Sequence, residues 1–123
     1  MNIDNLREKI SAVVRAHALE DGAYARWLWQ NAAGDRELGA NEYGIADAAN
    51  ILYTIGKFPN GEKRAQLCAA IAARQDPESG LFTEKTHHPL HTTAHCVAAL
   101  ELFDERPRYP LTALAPYRTV EGL

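Results

Sequence analysis

Four of the chain's five histidines, His87, His88, His91 and His95, fall within nine consecutive positions of the stretch EKTHHPLHTTAHCVAALELF at 84–103. His91 and His95 are four apart, so on a helix they share one face. Two imidazoles at that spacing can bind zinc if a third ligand joins them. They can also take up and release protons near neutral pH. The zinc-protease pattern needs a glutamate directly after the first histidine. Thr92 stands there instead, and no acid falls between the histidines. No metal or other cofactor is therefore expected, which leaves proton transfer or contact with a polar substrate. The competing reading is structural. His87 and His88 would then be solvated loop residues, and His91 or His95 would hydrogen-bond within the packing.

A second polar group, Glu42, Tyr43, Asp47 and Asn50, opens another helical stretch. Asp47 and Asn50 are three apart and face the same way. An aspartate beside His91 or His95 would orient an imidazole and raise its basicity, as a general base requires. A Tyr–His pair would suit proton abstraction by a lyase. His91, His95, Asp47 and Tyr43 are thus the expected catalytic set, with His88, Asn50 and Trp29 as substrate contacts. Trp27 and Trp29 flank Leu28 and point to different sides. One belongs in the core, and the other could stack on a sugar ring. The alternative for Asp47 and Asn50 is a loop-capping role.

The elements that must position these groups read as helices. Residues 3–19 place Ile3, Leu6, Ile10, Val13, Val14 and His17 at helical spacing, with Asp4 as N-cap and Asp21-Gly22 as the stop. The short aromatic stretch 23–30 is expected to be helical because of its alanines. Residues 42–56 form a helix closed by Gly56, and FPNG is a turn. The alanine-rich run 62–75 is a strong helix. Pro89 opens a helix reaching about Phe103. Pro110 starts a last, weaker one that Pro116 interrupts. No alternating strand pattern is present, so the chain is read as all-α.

A shift of 45 residues carries Gln30 onto Gln75, Ala49 onto Ala94 and Phe58 onto Phe103. It also places Asp47 where Thr92 stands in the next unit. Each unit has a helix ending in Gln, a glycine-containing loop, and a helix that is polar first and apolar afterwards. The run RQDPESGLF, with Gln75, Gly80 and Phe82, followed by HTTAHCVAALELF, resembles the repeat of the terpenoid cyclase and protein prenyltransferase superfamily. In the first unit Asp35 and Glu37 stand where Gly80 and Phe82 stand in the second. Related toroids occur in glycosidases and polysaccharide lyases. The resemblance implies stacked α-hairpin repeats forming part of an (α/α) toroid. It implies that Gln75 caps the loop backbone and that Phe82 packs between hairpins. Neither the acidic motif of a cyclase nor the zinc triad of a prenyltransferase is present, so it implies a fold and no one reaction.

The chain of 123 residues, 46% apolar, is the size of one domain and holds about two and a half such hairpins. Residues 1–123 are thus expected to be one helical-repeat domain and an incomplete toroid. It would be a piece of a longer chain with a further C-terminal region, or a homo-oligomer completing its core by self-association. PYRTVEGL is expected to begin another helix. A net charge of −3 with mixed signs gives no basic block for nucleic acid. Without a signal-peptide pattern or a long apolar run, the expectation is a cytoplasmic protein with no membrane contact. Cys68 and Cys96 lie in apolar helical surroundings and are expected to be small buried hydrophobes. Two functions follow. One is the N-terminal part of a toroid enzyme, hydrolase or lyase in type, acting on a carbohydrate or related polar small-molecule substrate. The polar, aromatic-poor helix starts favour that substrate over an isoprenoid. The other is a non-enzymatic helical-repeat module that packs on another subunit or domain.

Overall fold

Helix α1 (Ile3–Ala16) begins at Asn2, whose side chain accepts from Asn5 N at 3.2 Å. Asn2 therefore fills the capping role expected of Asp4, which instead pairs with Arg7 in the first turn. These and all later observations come from a computed structural model that describes residues 2–122. Helix α2 (Glu42–Thr54) is capped by Asn41, whose Oδ1 accepts from Tyr43 N at 2.9 Å and Gly44 N at 3.2 Å. It ends as expected at Gly56, with a φ of 71°. There Gly56 N donates to Tyr53 O and Lys57 N to Leu52 O, which satisfies the last carbonyls. Helix α3 (Gly61–Ala72) and helix α4 (Pro89–Glu101) complete the set. Pro89 occupies the first turn of α4, where its missing N–H costs nothing. Residues Thr112–Arg118 and Val120–Gly122 form short 3-10 turns, the first with Pro116 inside it. The described residues form an all-α protein with no strand longer than an isolated bridge.

The helix expected over 23–30 does not form. Its backbone is spent on neighbours instead: Ala25 N donates to His17 O and Asn41 N to Tyr24 O. Ala25 also bridges Ala40, so the segment crosses α2 as extended chain. An eight-residue helix is too short to be stable alone, and these non-local bonds win. The crossing is close. A Cβ on Gly44 would lie 2.7 Å from Ala25 C and Tyr24 O, so glycine is required there.

Helices α2 and α4 pack side by side, α3 lies against both, and α1 lies against α2. The core between them is Ile45, Ala46 and Ala49 of α2, Leu67 and Ile71 of α3, and Cys96, Ala99 and Leu100 of α4. The alanines let the helices approach closely, and Phe82 and Phe103 fill the remaining volume. Phe82 is fully buried, which is the place expected of the loop aromatic. Burial of Cys96 pushes its thiol up to about 12, so it behaves as the inert small hydrophobe expected. Cys68 is half-buried.

The two helix N-caps, Asn41 and His88, lie 47 residues apart, whereas Gln30 and Gln75 lie 45 apart. The loops absorb the difference. In cap register Asp47 therefore corresponds to Ala94, not to Thr92.

Candidate functional site

Because α2 and α4 are neighbours, their polar first turns meet. His87, His91 and His95 follow one another at intervals of four, and their rings form a stacked column. Ring centroids are 5.5 Å apart for His87 and His91 and 6.5 Å for His91 and His95, with interplanar angles of 15° and 22°. Tyr43 of α2 lies against all three, at 4.1 Å from His87, 5.9 Å from His91 and 5.1 Å from His95. The Arg26 guanidinium sits 5.5 Å over the Tyr43 ring.

Each imidazole has one nitrogen engaged by a different side chain. The Tyr43 hydroxyl is 2.6 Å from His91 Nδ1 and 3.3 Å from Thr92 Oγ1. His95 Nε2 is 2.7 Å from Asp47 Oδ1, where the carboxylate can only accept, so this nitrogen carries the proton. His87 Nδ1 is 3.2 Å from Glu84 Oε2. The remaining nitrogen of each ring has no protein partner among the described residues, and His91 is exposed. A carboxylate or phenol on one side of an imidazole fixes its orientation and leaves the other side to act.

Glu84 anchors the near end of the column. Its side chain is only 2% exposed. Burial alone would raise its carboxyl, but hydrogen bonds from the Thr86 hydroxyl (2.5 Å), His87, Thr86 N (2.9 Å) and Asn41 outweigh that and hold it at about 2. Arg26 adds an ion pair at 3.5 Å and donates to Thr86 Oγ1 at 2.7 Å. Asn41 thus joins the two helix starts: its carbonyl caps α2 and its amide reaches Glu84 at 3.4 Å.

The structure brings together Tyr43, Asp47, His91 and His95 from the expected set. It places the other three elsewhere. His88 is the N-cap of α4, its Nδ1 accepting from Leu90 N at 3.2 Å. Asn50 turns its amide back onto Ala46 O at 2.9 Å. Trp29 is 67% exposed on the first connection. The half-buried tryptophan is Trp27, which has Arg36 at 4.1 Å and Arg26 at 5.1 Å from its ring. Sequence reasoning left His87 out of the expected set, with solvent as its place in the structural reading, and did not single out Glu84 or Arg26. The spacing of 87, 91 and 95 would have found His87. No local signal marks Arg26, which arrives from a segment far away in sequence.

Among the described residues, no group of three or more His, Cys, Asp or Glu side chains is arranged to hold a metal ion. No helix among them is long and apolar enough to cross a membrane. Comparison with protein-family models, curated proteins and solved structures gives no match, so the geometry alone carries the functional reading.

Proposed function

We propose that the chain is part of an (α/α)-toroid enzyme that cleaves a carbohydrate or related polar substrate by proton abstraction and elimination. One observation carries this reading: the Tyr43–His91 and His95–Asp47 bonds lie side by side where α2 meets α4, with His91 and Asp47 exposed and Tyr43 buried. They supply a base and an acid within reach of one substrate. Glycoside hydrolysis ordinarily needs two working carboxylates. Here Asp47 is exposed, but the flanking carboxylates are not available. Glu84 is buried in its hydrogen bonds, and Glu42 is buried against Arg74 at 2.9 Å. Elimination is therefore favoured over hydrolysis.

In this scheme His91, whose Nδ1–H would donate to the Tyr43 oxygen, takes a proton at its free Nε2 from a sugar-acid carbon next to the carbonyl group. The freed electron pair forms a carbon–carbon double bond as the glycosidic C–O bond breaks. The leaving oxygen receives a proton from protonated His95, whose ring Asp47 orients. Further hairpins, from a longer chain or a second copy, would stack on the exposed Ile3 and Leu6 of α1. They would also fill the apolar groove between α4 and the last turns, lined by Leu90, Val97, Leu111, Leu114 and Tyr117. The same exposed surface supports the second reading, a non-enzymatic packing module with a structural histidine column.

The test incubates the protein with a panel of sugar-acid polymers and neutral polysaccharides. Expected is ultraviolet absorbance from a new conjugated double bond. New reducing ends without that absorbance would mean hydrolysis. No cleavage across the panel would favour the packing module.

A further inference from the structure

Asparagine is among the chemically labile side chains, and Asn60 is the one asparagine of this chain that a glycine follows. An asparagine loses its amide when the backbone nitrogen of the next residue attacks the side-chain carbon Cγ. Where this happens depends on local structure. The side chain must be free, the nitrogen must be uncommitted, and the five-membered ring that forms must not be crowded.

Asn60 meets each condition. It stands at the start of α3, exposed, with extended backbone at φ −131° and ψ 172°. Its side chain makes no capping bond and meets no partner among the described residues. Gly61 is the first residue of α3, where an N–H has no acceptor within the helix. Its φ is 54°, and a Cβ there would meet nothing within 4 Å. Neither a side chain nor a neighbour therefore blocks ring closure. Turning the Asn60–Gly61 peptide gives up the bond from Arg64 N to Asn60 O, a long one at 3.3 Å. The other asparagines each fail a condition. Asn2 Oδ1 accepts from Asn5 N, and the nitrogen after Asn5, Leu6 N, donates to Asn2 O. Asn31 is joined to Asp35 through both ends of its amide. Asn41 is buried between its cap and Glu84, and Asn50 donates to Ala46 O inside α2.

We propose that Asn60 is a site of spontaneous deamidation, which changes the start of α3 as the protein ages. Gly61 N gives its proton to hydroxide and bonds to Asn60 Cγ. The amide nitrogen takes a proton from water and leaves as ammonia, and a cyclic imide remains. Water then opens the imide at either carbonyl. Breaking the Cγ–N bond leaves aspartate. Breaking the backbone C–N bond leaves isoaspartate, with the chain running through Cγ. In sum an amide and a water become a carboxylic acid and ammonia, with no change of oxidation state. The aspartate form sets a charged acceptor at the positive end of α3, where no side chain caps now. The isoaspartate form lengthens the backbone by one carbon just ahead of the helix that carries Leu67 and Ile71 of the core. The proposal is independent of the chemistry at the histidine column.

The test ages the full chain in mildly alkaline buffer, with mass spectrometry of its peptides and assay of released ammonia. Expected is the mass gain of an amide turned to an acid, confined to the peptide that holds residue 60, with an equal amount of ammonia. Both product forms should separate by chromatography. The rate should lie within about tenfold of that of the free peptide KFPNGEKR, because helix ends open at little cost in free energy. Asn60→Gln, at an exposed position, would have to close a larger ring. It should keep the melting temperature and abolish the ammonia release. A rate at residue 60 more than about tenfold below that of the peptide, or equal loss at Asn31 or Asn50, would overturn the proposal.

Discussion

The connection over 17–41 and the one over 73–88 each use a glutamine side chain that pairs with both the N–H and the C=O of one residue, yet they join different things. Gln30 donates to Arg36 O and accepts from Arg36 N, both at 2.8 Å, and so closes its own loop in solvent. Gln75 donates to Tyr109 O at 2.7 Å and accepts from Tyr109 N at 2.8 Å, in a segment 34 residues away. It also donates to Gly80 O at 2.8 Å, which is the loop-capping bond expected of it. Gly80 allows this approach, because a Cβ there would lie 2.0 Å from Pro110 O. The second connection then buries Phe82 and Glu84 beneath the site, whereas the first leaves Trp29 exposed. The same amide device is decoration in one loop and a structural stitch in the other. What separates them is the buried aromatic and the distant partner.

Substitutions can break that contrast. The largest effect is expected for Phe82→Ala, which should cost about 3–5 kcal/mol in denaturant unfolding, since it empties a fully packed position. Gln75→Ala should cost about 1–3 kcal/mol, because it strands buried backbone groups. It should also expose the 105–112 segment to proteolysis. Gln30→Ala should cost less than about 1 kcal/mol, as an exposed loop contact does. Equal losses for the two glutamines would erase the distinction drawn between the connections.

Glu84 sharpens the comparison through pH. Its folded carboxyl is held at about 2, below the ordinary glutamate value. A depressed carboxyl contributes stability above its unfolded pKa and loses it as pH falls toward the folded one. Glu84→Gln should therefore remove on the order of 2 kcal/mol at neutral pH. The difference from the parent chain should shrink between about pH 4.5 and pH 2. A difference that persists unchanged at pH 2 would show that Glu84 acts by packing and not by charge. The smallest effect is expected for His87→Ala, below about 1 kcal/mol in stability, because the ring is half-exposed and held at a loop end.

How far these features could be read in advance depended on how local they are. The helix starts at Glu42 and Pro89 and the stop at Gly56 were legible because caps, proline and glycine act through neighbouring backbone. The meeting of Tyr43 and Asp47 with His91 and His95 was legible only on the condition that their two helices are neighbours, which the packing of α2 on α4 supplies. The helix assigned to 23–30 failed because Ala25 pairs with His17 and Ala40, contacts that no local pattern announces. The cap offset of 47 was hidden by the glutamine offset of 45. Arg26 and Glu84 entered the site through tertiary contacts alone, and His88 was drawn off it by its capping role.

Tyr43→Phe gives the most direct test of whether the histidine column performs proton transfer. The substitution keeps the stacked ring and removes only the hydroxyl that meets His91 and Thr92. The measurement is the cleavage rate on the substrate that the parent chain turns over, taken beside the melting temperature of both proteins. Expected is a rate loss of roughly 10²–10⁴-fold with the fold retained and a stability loss of no more than about 1–3 kcal/mol. A cleavage rate equal to the parent's, or a rate that falls only in step with unfolding, would contradict the catalytic role and leave the column as packing.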